Sequence, residues 1–428
     1  MGDPPADPRA RYTGGVLSEA DAALLTRDSG LPGLALLLDP EALLARLDGT
    51  ALQADAALPL TLRYTPARAA VAAYRLRRDG EETLAYARAW GGQTPGTDRL
   101  PRRGSGAVVF EDAQLLVCGA ANDLRLPALG RLLAPGTRGE LLRNAGVELG
   151  SLAARSLEVL AYRPERRCAA RVGEASRSVV LKLYREAGFR AAAARRDWLA
   201  TQVDLPTCAS IGSAEADRAI ALRWLPGETL AAQLRRGDAT PAHVAAAGQA
   251  LAALHDRDAS GLPAAPANIP LTRATAAAVS LDTLGPPLGE AARRILATLA
   301  PRLTDGDACV ALHGDFHAKQ VLIADAGAAL LDLDDAAPGP PERDLGCFNA
   351  HLARDEVMRR IAPGAADAFE ALFRDAYAAR RPAPSIERIR AHAAAALLAM
   401  AAYPFRVRDP EWPTLVRALV TRAAAFAS

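Results

Sequence analysis

The 428-residue chain holds only five cysteines, Cys118, Cys168, Cys208, Cys309 and Cys347, and none forms a C-x-x-C pair. An odd, scattered set argues against a disulfide framework and reads as reduced, mostly buried thiols. Charge of one sign is lacking too. The 51 basic and 49 acidic residues leave a formal net charge of +2, so no strong pull toward nucleic acid or anionic lipid follows. No apolar stretch reaches the roughly 18 charge-free residues that a membrane span needs. Met1 to Tyr12 is polar and proline-rich, without the apolar core of a signal sequence. A cytoplasmic protein is expected, with no nucleic acid and no membrane as partner. Lysine is scarce beside arginine, and alanine is abundant. Half the residues are hydrophobic, enough for a large core and two or three domains.

What the chain does hold is Leu312-His313-Gly314-Asp315-Phe316-His317-Ala318-Lys319-Gln320-Val321-Leu322, followed by Leu330-Leu331-Asp332-Leu333-Asp334-Asp335. An acid, an amide five positions on, and a second acid after a short apolar run suit metal-assisted phosphoryl transfer. Protein kinases use H-R-D-L-x-x-x-N and then D-F-G. There the first Asp takes the hydroxyl proton, the amide holds one Mg²⁺, and the second Asp holds Mg²⁺ on the nucleotide phosphates.

The His-Gly-Asp-x-His variant resembles the aminoglycoside phosphotransferase and choline kinase superfamily, over roughly residues 155 to 428. That superfamily usually has Asn where this chain has Gln320, and Gln resembles the bacterial maltokinase and glucosamine kinase branch. A Gln carbonyl still suits a hard cation. The resemblance implies an α+β, bilobal, protein-kinase-like fold with a sheet-based N-lobe and a helical C-lobe.

The pattern along the chain divides it into a disordered tail over 1–15, an N-terminal cap over 16–150, a kinase-like N-lobe over 151–228 and a helical C-lobe over 229–428. Ser18-Glu19-Ala20-Asp21 reads as a capping box. The cap looks like a degenerate copy of the N-lobe. Leu62-Arg63-Tyr64-Thr65-Pro66-Ala67-Arg68 recurs as Leu160-Ala161-Tyr162-Arg163-Pro164-Glu165-Arg166. Each copy continues into a strand, a polar turn (Arg78-Asp79-Gly80; Gly173-Glu174-Ala175) and a second strand, then a third strand expected at Leu126-Pro127 and Leu225-Pro226. Two similar sheets follow. Maltokinases also carry an N-terminal cap. Helices are expected over 188–200, 241–254, 344–360, 365–380 and 386–400, with a last one after Pro410-Glu411-Trp412-Pro413.

By this reading Asp315 is the catalytic base, and Asp332 and Gln320 hold Mg²⁺. Lys182, in Val180-Leu181-Lys182-Leu183-Tyr184, shares one strand face with Val180 and Tyr184 and resembles the kinase lysine on the α- and β-phosphates. Arg88 is its counterpart in the first copy. Kinases pair that lysine with a helix Glu. The helix here has none, and Glu186 is the nearest candidate. No Gly-rich loop precedes the strand, so Arg166 and Arg167 are left for the phosphates. Arg223-Trp224-Leu225-Pro226-Gly227 resembles the hinge, with Trp224 and Leu225 at the adenine edge. Zinc ligation by His313 and His317 lacks a completing Glu or Cys. The resemblance instead puts His313 on the loop backbone and His317 beside the acceptor. Asp334 extends the acidic cluster, as a further metal ligand or a loop anchor. Asp344, in Glu342-Arg343-Asp344-Leu345-Gly346, braces the catalytic loop.

The expected activity is a kinase using Mg²⁺ and ATP, with GTP the alternative, on a hydroxyl of a sugar or amino sugar. Two other readings stand beside it. An aminoglycoside O-phosphotransferase would show an acidic acceptor cleft. A non-catalytic nucleotide-binding scaffold would bind nucleotide regardless of Mg²⁺.

Overall fold

The computed structural model describes residues 17–92, 106–174, 177–266, 268–303, 309–324 and 327–428. The tail expected over 1–15 and Ala175 of the second polar turn lie outside these residues. The chain enters through α1 (Glu19–Arg27). Its capping box is formed: the Ser18 hydroxyl accepts from Asp21 N–H at 3.1 Å, and the Asp21 carboxylate accepts from Ser18 N–H at 3.3 Å. Such a cap contributes about 1 kcal/mol. After α2 (Leu34–Leu38) and α3 (Pro40–Leu47) come β1 (Ala56–Thr65), β2 (Ala69–Arg78), β3 (Glu81–Trp90), β4 (Ala107–Phe110) and β5 (Leu115–Gly119). They pair antiparallel in the order β1-β2-β3-β5-β4.

A second unit repeats the plan. Helices α4 (Leu129–Leu133), α5 (Pro135–Asn144) and α6 (Leu152–Arg155) precede β6 (Leu157–Arg163), β7 (Arg167–Glu174) and β8 (Arg177–Tyr184). Next come α7 (Glu186–Ala200), β9 (Ser210–Ala214) and β10 (Ala219–Arg223). This sheet has the order β6-β7-β8-β10-β9, matching the first strand for strand.

The likeness extends to single hydrogen bonds. In the first unit the Asp28 carboxylate accepts from the Tyr64 hydroxyl and from Ala67 N–H. In the second, Asp123 accepts from the Tyr162 hydroxyl and Glu165 N–H. Ala67 and Glu165 both sit at positive φ, 55° and 62°. A buried carboxylate thus anchors the same tight turn twice.

One expectation needs correction here. Leu126-Pro127 is not the end of the first copy's third strand. It follows Asp123 by the spacing with which Leu31-Pro32 follows Asp28, and each dipeptide leads into a helix pair. An acid, Asp28 or Asp123, and a helix pair thus precede each sheet. Leu225-Pro226 lies beyond the end of β10, in the link to the helical lobe.

The helix pairs explain why the two sheets differ in use. Ala70, Ala72 and Tyr74 of the first sheet pack with Leu34, Leu37, Leu38 and Leu43, and the Tyr74 hydroxyl donates to the Leu37 carbonyl. The equivalent face of the second sheet, with Cys168, Ala170 and Val172, packs with α4 and α5. Its other face is open and carries Lys182. The first sheet has no such open face: Val71, Tyr86, Trp90 and Leu116 join the same apolar cluster as Leu129, Leu132, Leu141 and Leu142. Arg88 does stand at the register position of Lys182, opposite Val71 as Lys182 is opposite Ala169. It is engaged by Glu165 at 2.6 Å.

The helical lobe begins with β11 (Glu228–Thr229), α8 (Leu230–Arg236), α9 (Pro241–His255), α10 (Ile269–Leu284) and α11 (Pro286–Leu299). The hairpin segments β12 (Val310–Leu312), β13 (Val321–Ala324), β14 (Gly327–Leu330) and β15 (Ala337–Gly339) hold the motif. Then follow α12 (Glu342–Val357), α13 (Ala365–Ala378), α14 (Ile386–Met400), α15 (Tyr403–Arg406) and α16 (Trp412–Ala427). The expected helices are all present, with ends shifted by a few residues, as helix termini commonly are. Helix α1, ahead of the first sheet, docks on this lobe. Arg408 forms a buried two-oxygen ion pair with Asp21 at 3.0 Å, and Arg27 donates to the Thr283 and Leu284 carbonyls at 2.7 Å. Among the described residues no helix is long and apolar enough to cross a membrane. All five cysteines are free; Cys118 and Cys168 are buried, whereas Cys309 is exposed.

Candidate active site

The motif loop leaves β12 and is pinned from below. Gly314 has φ +84°, and a Cβ there would lie 2.1 Å from the Asp335 carbonyl oxygen, so only glycine fits. Phe316 is fully buried, with its ring 5.6 Å from Phe348 and 5.8 Å from Phe373. That anchor leaves Asp315 on the outer side of the loop, half-buried.

Asp344, in the first turn of α12, accepts from His313 N–H at 2.6 Å and Gly314 N–H at 2.9 Å. Its third partner is His255 Nε2 at 3.1 Å, and His255 Nδ1 meets the Tyr377 hydroxyl at 2.8 Å. Both side chains are fully buried. Burial works against both charges. His255 stays below the usual imidazole value, while its hydrogen bond keeps the Asp344 carboxyl low. The consistent state is a neutral imidazole donating from Nε2 and accepting the Tyr377 proton at Nδ1. His313 Nε2 donates to the Leu331 carbonyl at 2.8 Å, tying the loop to the stretch before Asp332. Asp344 and His313 thus hold the backbone of the loop by hydrogen bonds. His255 and Tyr377, not singled out from sequence, complete it.

Asp332 adopts φ +57° and ψ +54°, an uncommon conformation for a non-glycine residue. Lys182 Nζ lies 2.6 Å from its carboxylate, and Arg167 forms two bonds to it at 3.0 and 3.2 Å. The Gln320 amide is 3.5 Å away. Burial would raise the Asp332 carboxyl, but Lys182 and Arg167 hold it well below the usual carboxylate range. Asp334 accepts from Lys182 and Arg167, both at 2.9 Å, and from the Tyr184 hydroxyl.

Asp334 thus fills the place sought for Glu186. Glu186 does not reach Lys182. It sits at the exposed start of α7 and pairs with Arg190 and Arg218. The alternation of β8 explains the rest. Val179, Leu181 and Leu183 point into the core, while Val180, Lys182 and Tyr184 take the other face.

A cleft of about 1000 Å³ separates this sheet from the helical lobe, and Lys182, Asp315, Gln320 and Asp332 all line it. Arg166, Trp224 and Leu225 line it too. Arg166 is exposed there without an ion-pair partner among the described residues, and the Arg171 guanidinium lies 4.2 Å from the Trp224 ring centroid. Gly227, at φ +135°, passes so close to β13 that a Cβ would lie 2.6 Å from the Ile323 carbonyl.

On the far side Asp315 faces His317, whose Nε2 is 3.9 Å away, and also Cys347 and His351. The two rings stack at 4.0 Å with 9° between planes. Burial, with Arg354 among the contributing charges, holds both imidazoles well below their usual value. Burial and Asp315 push the Cys347 thiol up. Cys347 and His351 went unremarked in the sequence, although their spacing of four on α12 places them on one face.

Residues 166–383, just over half of the chain, match the phosphotransferase enzyme family. The chain belongs to that family. It is a phosphotransferase, built from antiparallel sheets followed by a helical lobe. Among solved structures it is similar to an aminoglycoside-3′-phosphotransferase of type VIII, at 19% identity, covering 56% of this chain and 91% of that one, TM-score 0.44. A putative fructosamine-3-kinase from Thermobifida fusca is 20% identical, over 68% of this chain and 99% of that one, TM-score 0.45. A choline kinase from Cryptosporidium parvum is 10% identical, over 63% and 88%, TM-score 0.44. No curated protein matches the chain.

The buried histidines of this phosphotransferase carry a pH prediction. Burial lowers His255, His317, His351 and His392, the last to about 4. Both His392 ring nitrogens lack a hydrogen-bond partner among the described residues. The unfolded chain therefore binds more protons than the folded one below the ordinary value of about 6.5. Stability is fully present above that pH and falls as acid is added, by up to about 1.4 kcal/mol per unit for each group. The unfolding midpoint in urea is expected to drop steeply between about pH 6.5 and 5. A His392→Leu variant is expected to show a shallower drop. A flat profile across that range contradicts the assignment.

Proposed function

We propose that this phosphotransferase moves the γ-phosphoryl group of ATP to a hydroxyl of a small sugar-like acceptor, with Mg²⁺. The observation that supports it is convergence: Asp315, Gln320 and Asp332, near one another in sequence, line one cleft with Lys182, which lies 150 positions before Asp332. Asp332 and Gln320 present hard oxygen donors of the kind Mg²⁺ takes. Bound there, Mg²⁺ supplies charge neutralisation on the transferring phosphates.

The chain's own residues do the rest. Lys182 and Arg167, already gathered over Asp332 and Asp334, are placed to cradle phosphate oxygens, with Arg166 at the rim. The backbone at Trp224 and Leu225 meets the base, and Asp315 orients the acceptor hydroxyl and takes its proton. Asp344 and His313 keep Asp315 in position. The transition state is loose, so position and charge matter more than basicity.

The cleft does not have the acidic lining expected for an aminoglycoside, since arginines and lysines outnumber its carboxylates. That Asp315 shares its cleft with Lys182, Gln320 and Asp332 supports catalysis over a scaffold.

Asp332→Ala tests the metal assignment by calorimetry. Mg²⁺-ATP affinity is expected to fall at least tenfold, about 1.4 kcal/mol. Binding of ATP without Mg²⁺ is expected to hold or improve, because Lys182 and Arg167 lose a competing carboxylate. An unchanged Mg²⁺-ATP affinity removes Asp332 from this role.

A further inference from the structure

We propose that the acceptor is an anion, a hydroxyl compound bearing a phosphate or carboxylate group, held by Lys319, Arg235, Arg354 and Arg406 on the cleft wall of the helical lobe. The inference rests on the phosphotransfer reading above and names the acceptor's chemical class.

The chain contains only two lysines, Lys182 and Lys319, and both line the cleft. Lys182 is absorbed by Asp332 and Asp334. The Lys319 ammonium, on the turn after Asp315, has no hydrogen-bond or ion-pair partner among the described residues. Neither has the Arg406 guanidinium on α15. Arg235 on α8 and Arg354 on α12 complete the wall, with Arg360 behind them.

Against these five cations stands, among the described residues, a single neighbouring carboxylate, Asp355. It already serves Arg354 at 2.7 Å, Arg360 at 3.3 Å and Arg235 at 3.7 Å. Arg354 and Arg360 both lie on the Tyr403 ring, at 4.8 and 5.0 Å. The other cleft acids are elsewhere engaged or assigned: Glu228 by Arg236, Asp332 by Lys182 and Arg167, Asp335 among Arg167 and Arg343, and Asp315 as the base. The crowding is unrelieved. Lys319 and Arg406 are exposed to the cleft, yet partial loss of hydration lowers both. Nearby Arg235 and Arg354 lower Lys319 further, and Arg163, Arg166 and Arg354 lower Arg406.

Like charges held this close repel unless an anion sits among them. The nucleotide phosphates have their own cations, Lys182, Arg167 and Arg166, on the sheet side. The wall beyond Asp315 is where an acceptor must lie to present its hydroxyl. An anionic group there gains these cations, whereas an ammonium on an amino sugar or aminoglycoside meets them as like charge.

Calorimetry on the full chain tests this, with Mg²⁺ and a non-hydrolysable ATP analogue filling the nucleotide site. The probes are glucose 6-phosphate, glucuronate, glucose, glucosamine and kanamycin, and ADP release is followed with ATP in parallel. At least one anionic probe is expected to bind about tenfold or more tightly than glucose, and added salt is expected to weaken it. The phosphate and carboxylate arms decide which anion the wall takes. Lys319→Ala is expected to weaken that binding about tenfold, with the ATP analogue unaffected, and Lys319→Arg to retain most of it.

Three results overturn the proposal: glucose, glucosamine or kanamycin binding as well as the anions; anion binding indifferent to Lys319→Ala; or no binding by either anion. Failure of the phosphotransfer reading looks different: an anion binds, yet no ADP is released with any probe.

Discussion

Asp315→Asn is expected to lower turnover by about 10²–10⁴-fold, the usual worth of a positioned acid or base, with Mg²⁺-nucleotide binding intact. Asparagine keeps the shape of the side chain and removes its capacity to take a proton. The separation of effects follows from the geometry. Asp315 makes no contact with Lys182, Arg167 or Asp332, and its nearest basic neighbour is His317 at 3.9 Å. ADP release measures the turnover, and calorimetry with Mg²⁺-ATP measures the binding. Near-normal turnover removes Asp315 from the role of base. A parallel loss of nucleotide affinity shows that the substitution has disturbed the loop rather than the chemistry.

Asp344→Ala is expected to damage the fold before it damages the chemistry, by about 3–5 kcal/mol, the cost of breaking a buried charged network. The carboxylate is fully buried, and its removal strands His313 N–H, Gly314 N–H and His255 Nε2. Each orphaned donor costs about 1–3 kcal/mol in such surroundings. Asp344→Asn retains an acceptor oxygen and is expected to cost less. Chemical denaturation of both variants checks the order. An Asp344→Ala protein that unfolds like the parent but has lost turnover means that Asp344 acts on the reaction itself.

The legible parts of the site were those written in adjacent residues. His313 to Gln320 and Leu330 to Asp335 lie on one loop and one hairpin, so their spacing already constrained where Asp315, Gln320 and Asp332 stand. The alternation around Lys182 announced its face, because side chains along a strand alternate in direction. The Ser18 cap was legible for the same local reason. The duplicated Tyr-x-Pro turn marked two like sheets, yet Leu126-Pro127 was wrongly read as part of a strand. Asp28 with Leu31-Pro32 and Asp123 with Leu126-Pro127 precede their turns by dozens of residues, and only the shared hydrogen bonds from Tyr64 and Tyr162 tie them to it.

Other features depend on chain segments that meet only in three dimensions. The acid beside Lys182 lies 150 and 152 positions away, at Asp332 and Asp334. Glu186, close in sequence, is carried off by the start of α7 to pair with Arg190 and Arg218. The cationic wall is assembled from α8, the turn after Asp315, α12 and α15. In the sequence its members look like ordinary solvated charges.

By itself the sequence determined the phosphotransferase family and the doubled sheet plan, because short-range spacing and strand periodicity set where neighbouring side chains point. Tertiary structure decided which sheet keeps an open face, which acids neutralise Lys182, and what sign of charge meets the acceptor. Those outcomes depend on burial and on Coulombic contacts between segments that the chain's linear order does not bring together.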